Sequence, residues 1–171
     1  MYIAPHRVFV GLGTNLGDRM NNLEEASQLI SALDDVQLLK SSTVIETEAW
    51  GKKDQPDFLN CVLELECTLD AEKLFKELQN IELKMGRVRE EKWGPRIIDI
   101  DILFFGDECV KNERITIPHA EMQNRKFVLE NLREIAPRLF HPVLKCTISE
   151  LYIAIKDDSR ITKFGKLAIA T

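Results

Sequence analysis

Residues 97–105, IIDIDILFF, constrain this chain more than any other stretch. Side chains alternate across a β-strand, so Asp99 and Asp101 are sent to one face while Ile98, Ile100, Ile102 and Phe104 go to the other. The expected strand runs from about Ile97 to Phe105. Its apolar face belongs to a core, and its second face presents two carboxylates about 6.5 Å apart along the backbone. Isolated buried carboxylates cost several kcal/mol each. Something positive must therefore sit beside them.

The other elements arrange themselves around this strand. RVFVGLG, Arg7 to Gly13, is a short β-branched run closed by glycines and reads as a buried strand. Asp18 is placed to cap a helix whose stripe is Leu23, Ala26, Ile30 and Leu33. A strand is expected from Val36 to about Thr47. In FLNCVLELEC the residues Leu59, Cys61, Leu63, Leu65 and Cys67 alternate with Asn60, Glu64 and Glu66, a half-buried strand. Asp70 then caps a second helix with the stripe Leu74, Leu78, Ile81 and Met85, and Gly86 stands where a helix-ending glycine belongs. The order β-α-β-β-α-β predicts an α+β, ferredoxin-like antiparallel sheet with helices on one face. Additional C-terminal helices follow: Val128, Leu132 and Ile135 form a stripe between Pro118 and Pro137, and Thr147 with Glu150 has capping-box spacing.

With 171 residues, 44% of them hydrophobic, the chain fits a single domain, 1–171, with a sizeable core. A net charge of -5 argues against a general nucleic-acid binder, which needs many cations to displace counterions from phosphates. No run of about 18 apolar residues is present to span a membrane. Cys61, Cys67, Cys109 and Cys146 form no CxxC pair and follow no signal peptide, so they read as reduced thiols of a cytoplasmic protein. A monomer working on small molecules is expected.

A bare DxD on a strand is compatible with a solvated face on which both acids pair with lysines. Here Lys84, Arg87, Arg89, Lys92 and Arg96 crowd the residues just before the acids, in a chain that is otherwise acidic. The forked guanidinium group suits phosphate oxygens. Mg²⁺ takes one or two carboxylates and completes its shell with water and substrate phosphates. Together these residues suggest a metal–triphosphate site. His119, near Arg114 and Arg125, is placed to donate to a phosphate, or else is a hydrogen-bonded structural histidine. GLGTNLG misses the dinucleotide fingerprint by one residue and no GxxxxGK[ST] occurs, so its glycines are expected to shape a turn.

KWGPRIIDIDIL, with GLGTNLGD, DQPDFLN, IELKMGRVR and PHAEMQNRKF in the same order along the chain, resembles the 6-hydroxymethyl-7,8-dihydropterin pyrophosphokinase family of folate biosynthesis. The resemblance reaches from Gly11 to Phe127. It implies transfer of pyrophosphate from ATP to the pterin hydroxymethyl group, with two Mg²⁺ ions and release of AMP. By the same resemblance Asp99 and Asp101 would hold the metals, and Arg87 and Arg96 would contact the phosphates near the transferred group. His119 and Arg125 would lie on the triphosphate, while Gln79, Glu82, Ile102, Arg114 and Thr116 would line the nucleoside. Phe58 and Phe127 would stack on the pterin, Thr47 and Asn60 would read its polar edge, and Trp50 and Trp93 would close over it. Ile45 and Ala49 replace the aromatic residue and proline common around the family's pterin loop.

Two other classes are compatible with parts of the pattern. A palm-type nucleotidyl transferase also uses paired aspartates and two metals, but DQPDFLN and the two phenylalanines favour a flat heterocycle. An RNA-recognition sheet would need a glycine–aromatic pattern that FLNCVLEL lacks.

Overall fold

The computed structural model describes residues 1–49, 54–87 and 94–169. Its elements are β1 (His6–Thr14), α1 (Arg19–Ser31), β2 (Val36–Ser41), β3 (Val44–Thr47), β4 (Phe58–Cys67), α2 (Ala71–Lys84), β5 (Asp99–Phe105), β6 (Val110–Lys111), β7 (Thr116–Ile117), α3 (Lys126–Ile135), β8 (Phe140–His141), β9 (Cys146–Thr147), α4 (Ile148–Ala154) and β10 (Ile161–Gly165). The main sheet has the order β10-β3-β4-β1-β5, with β2 also pairing β4, and every pairing in it is antiparallel.

The helix boundaries follow their caps. The Asp18 side chain accepts from the Asn21 N–H and that of Asp70 from the Lys73 N–H, each satisfying a donor of the first turn. At the end of α2, Gly86 adopts φ 85°; its N–H donates to the Leu83 carbonyl, and the Arg87 N–H to that of Glu82. This is a Schellman motif, and it fixes the backbone of Arg87. The expected capping box is present at α4, between Thr147 and Glu150.

Residues 36–47, expected as one strand, form two. Ser42 is buried at the break: its N–H donates to the Val62 carbonyl, and its hydroxyl accepts from the Val62 N–H. The serine thus replaces a ladder step, and both halves stay paired to β4.

A second difference concerns the core strand. Ile98, Ile100 and Ile102 pack beneath α1 and α2 together with Val8, Val10, Leu12, Leu63 and Leu65. Phe104 does not join them. The register between β1 and β5 shifts at Phe9/Val10, so Phe105 joins that core, while Phe104 turns to the opposite face with Leu103 and meets Phe9 edge-on at 6.3 Å. Such an irregularity inserts one residue and reverses the alternation beyond it.

That opposite face has its own cover. Val128, Leu129 and Leu132 of α3 and Ile148 of α4 pack on Phe9, Val62, Leu103 and Phe104. The added helices therefore form a partial third layer. Where they stop, the sheet is left open above Asp99 and Asp101.

Candidate active site

The open part of this face is a cleft of about 570 Å³. Its floor follows from register: Gly11 stands opposite Asp101 and Gly13 opposite Asp99, so β1 places no side chain beside either acid. These glycines lie inside a strand, not in the expected turn, which falls instead at Gly17 with φ 67°. A Cβ at Gly13 would come within 2.9 Å of Asn60 Oδ1. Gly13 thus leaves room for the Asn60 amide, whose Nδ2 donates to the Thr47 hydroxyl at 2.9 Å.

Asp99 is held between two arginines, with Arg87 Nη1 2.8 Å from Oδ1 and Arg96 Nη1 2.7 Å from Oδ2. Arg87 also pairs with the buried Glu82 on the last turn of α2. Helix α2 therefore aims Arg87 at the acid through both its C-terminal geometry and its own carboxylate. Arg96 stacks its guanidinium 5.5 Å from the centre of the Phe58 ring.

Among the described residues, no arginine clamps Asp101 at contact distance in this way. Burial at the cleft floor, then the neighbouring charge of Asp99, push its carboxyl up to about 7, against the lowering influence of Arg125, Arg87 and Arg96. His119 Nε2 lies 4.0 Å from Asp101 Oδ2. Burial and the charge of Arg125 lower the His119 pKa from 6.5, so the imidazole is neutral at pH 7. Its Nδ1 accepts from the Glu121 N–H at 3.2 Å, which leaves the proton on Nε2, the atom facing the cleft.

The lateral walls are aromatic. Phe58 opens β4 and Phe127 stands in the first turn of α3; both line the cleft with Thr47, Asn60, His119 and Arg125. Gln79 and Arg114 line a second pocket of about 280 Å³ against α2, and Phe75 lines both pockets. Two expected nucleoside contacts are not brought there: Ile102 packs in the core, and Thr116 pairs with Lys111 on the ribbon β6–β7. Trp50 and Trp93, as well as Arg89 and Lys92, lie outside the described residues. Ile45 and Ala49 are buried.

Sequence reasoning missed two residues. Asn15 is buried behind the cleft. Its Oδ1 accepts from the Arg96 N–H at 2.8 Å, and its Nδ2 donates to Gln55 Oε1 at 2.8 Å and to the Pro56 carbonyl at 3.0 Å. A polar residue in GLGTNLGD directly after an apolar strand was the available signal. Asn131, on the cleft side of α3, is 1% exposed, and its amide has no hydrogen-bond partner among the described residues. Its position on the inward stripe of α3, three residues from Val128, could have marked it. Cys61 also lines the cleft, but burial raises its thiol pKa far above neutrality, so it is no nucleophile.

The donor set suits a hard cation. Two carboxylates share one face of β5, Asp101 is crowded by a like charge, and oxygen donors with open positions are what Mg²⁺ accepts when phosphates complete its shell. No cluster of three or more acidic, histidine or cysteine ligands occurs among the described residues, so a dedicated protein cage is not built there.

Fold and site together define an α+β domain with a paired-aspartate, arginine-lined cleft between aromatic walls. The chain belongs to the 7,8-dihydro-6-hydroxymethylpterin-pyrophosphokinase (HPPK) family, whose sequence pattern matches residues 9–137. It is 43% identical over 134 residues to the Haemophilus influenzae 2-amino-4-hydroxy-6-hydroxymethyldihydropteridine pyrophosphokinase, covering 78% of this chain and 84% of that one. It is 36% identical over 143 residues to the Aquifex aeolicus protein of the same name, covering 84% and 88% respectively. The fold matches the wild-type Plasmodium falciparum HPPK-DHPS structure with pterin and p-hydroxybenzoate at a TM-score of 0.69 and 18% identity, covering 87% of this chain and 41% of that longer chain. No helix among the described residues is long and apolar enough to cross a membrane.

Proposed function

We propose that the chain transfers pyrophosphate from ATP to the hydroxymethyl group of 6-hydroxymethyl-7,8-dihydropterin, releasing AMP, a step of folate biosynthesis. Family membership and the names of the relatives support this reaction and set aside the palm-type nucleotidyl transferase. The observation that carries the assignment to this cleft is the position of Asp99, held by two arginines, beside Asp101 in a cleft that two phenylalanines also line.

In this reading the pterin lies between Phe58 and Phe127, with Thr47 and Asn60 at its polar edge. Asn60 Nδ2 already donates to Thr47 Oγ1, so the remaining amide hydrogen and the Asn60 carbonyl are left for the heterocycle. The triphosphate lies over Arg87, Arg96, His119 and Arg125, and the nucleoside extends toward Gln79 and Arg114. Asp99 and Asp101 would hold two Mg²⁺ ions, which when bound neutralise and orient the phosphates. The hydroxymethyl oxygen forms a bond to the β-phosphorus as the bond from that phosphorus to the bridging oxygen of AMP breaks. The hydroxyl proton departs toward the Asp101 carboxylate, and the negative charge leaves with AMP. His119, neutral with its proton on Nε2, donates to phosphate without adding a charge of its own.

The test is to incubate the protein with Mg²⁺, ATP and the pterin alcohol and to separate the nucleotides. AMP that appears only with the pterin supports the reading. ADP in place of AMP, or no turnover, overturns it.

A further inference from the structure

The family pattern ends at Pro137, yet the chain beyond it twice reaches elements that carry cleft residues. After α4 the Asp157 carboxylate accepts from the Lys126 N–H at 3.1 Å. Helix α3 has no side-chain cap of its own, since the residue at that position is Arg125. Asp157 therefore supplies, from 31 residues away, the cap at the turn that carries Arg125 and Phe127. It is itself held by the Ser159 hydroxyl and by the Ser159 N–H at 2.8 Å.

Four residues later Ile161 begins β10 and stands directly opposite Thr47 on β3. The same end is locked by Arg19, whose Nη1 pairs with Glu46 of β3 at 2.6 Å and donates to the Asp57 carbonyl, one residue before Phe58, at 3.0 Å. The Arg19 guanidinium also lies 5.5 Å from the ring centre of Phe164 on β10. One end of the segment thus holds the Phe127 wall, and the other holds the Thr47 and Phe58 wall.

We propose that residues 157–161 form a strap that sets the spacing of the two aromatic walls, with Asp157 and Arg19 as positioning residues for the flat substrate. Four Cα steps reach at most about 14 Å, so the two anchored walls cannot separate further without breaking an anchor. A heterocycle stacked on both faces needs its walls at a fixed distance, whereas of the proposed triphosphate residues Arg87, Arg96 and His119 lie outside the strapped elements and only Arg125 shares the capped turn of α3. The strap therefore acts on the flat substrate more than on the triphosphate. This rests on the reading of Phe58 and Phe127 as the pterin walls.

The direct test lengthens the strap without deleting an anchor, by inserting four Gly/Ser residues after Ser159, alongside Asp157→Ala and Arg19→Met. In the AMP-release assay each variant is expected to raise KM for the pterin about five- to tenfold and to leave kcat and KM for ATP within twofold. Equal shifts in both KM values, or no shift in the insertion variant, would overturn the strap. Amide exchange at residues 44–47 and 126–129 reads the same device without turnover. It should quicken in the insertion variant, and unchanged exchange would sink the proposal even if the intact protein released no AMP, an outcome that would by itself remove only the pyrophosphokinase reading.

Discussion

Asn15 and Arg96 are joined twice: the Arg96 N–H donates to Asn15 Oδ1 at 2.8 Å, and the Asn15 N–H donates to the Arg96 carbonyl at 3.1 Å. The same asparagine amide holds the loop before Phe58. One buried side chain thus couples the phosphate-side arginine to the aromatic wall. Asn15→Ala should leave buried backbone groups unpaired and cost about 2 kcal/mol. That corresponds to a melting temperature lowered by roughly 4–8 °C for a chain of this size. Thermal melts and the AMP assay check it; a stable variant with normal kcat would mean that Asn15 only fills space.

The raised carboxyl of Asp101 makes stability depend on pH. Its ordinary value is 3.8 and it is pushed up to about 7 in the fold, so between these values the folded protein binds more protons than the unfolded chain. Stability of the metal-free protein should therefore fall as pH rises through that window. Asp101→Asn removes the effect. Because 40% of the side chain is still reached by solvent, the gain at pH 7.5 should be about 1 kcal/mol after allowance for screening. The variant should melt roughly 2–4 °C above the parent at pH 7.5 and level with it at pH 4, while losing turnover. A gap independent of pH would show that Asp101 carries no such strain.

Much of this was legible in the chain itself. The caps at Asp18 and Asp70, the glycine after α2 and the Thr147–Glu150 box rest on contacts within five residues, and each appears where the sequence places it. The face of Asp99 and Asp101 followed from strict alternation. Phe104 did not, because its face depends on a register shift against Phe9, a residue nearly a hundred positions away. Gly11 and Gly13 were misread for the same reason: their purpose appears only when β1 lies beside β5 and β4. Ser42, which splits a strand, answers to Val62.

Arg87 and Arg96 grip the two oxygens of one carboxylate, but they are held differently. Arg87 reaches Asp99 from the end of α2, whereas Arg96 is anchored by Asn15 and stacked on Phe58. In the proposed reaction Asp99 would hold metal, so Arg96 and Arg87, the latter still paired with Glu82, would have their Asp99-facing donors available to phosphate. Arg96→Ala should therefore weaken ATP binding and slow chemistry together. Arg87→Ala should leave ATP affinity within a few-fold, since a competitor for Asp99 is lost with the phosphate contact, and should slow single turnover about a hundredfold, roughly 2.7 kcal/mol. Rapid-quench single turnover beside equilibrium binding of a nonhydrolysable ATP analogue separates the two. A large affinity loss with an unchanged chemical step in Arg87→Ala would make that arginine a ground-state clamp.

Asn131 places an amide on the cleft side of α3, 1% exposed and without a hydrogen-bond partner among the described residues. A buried amide left unpaired costs about 1–3 kcal/mol relative to an apolar group of the same shape. Leucine is close to isosteric, and Val128, one turn earlier on the same face of α3, also lines the cleft. Asn131→Leu should therefore stabilise the ligand-free protein by about 1–2 kcal/mol, which raises the melting temperature by roughly 2–8 °C. If the amide faces the heterocycle, the same substitution removes a partner that only the bound pterin can supply, and KM for the pterin should rise while KM for ATP stays put. Melts without ligand and steady-state kinetics with each substrate varied in turn give both numbers. A destabilised Asn131→Leu protein would mean that the amide is satisfied in solution, and the functional reading of this residue would fall with it.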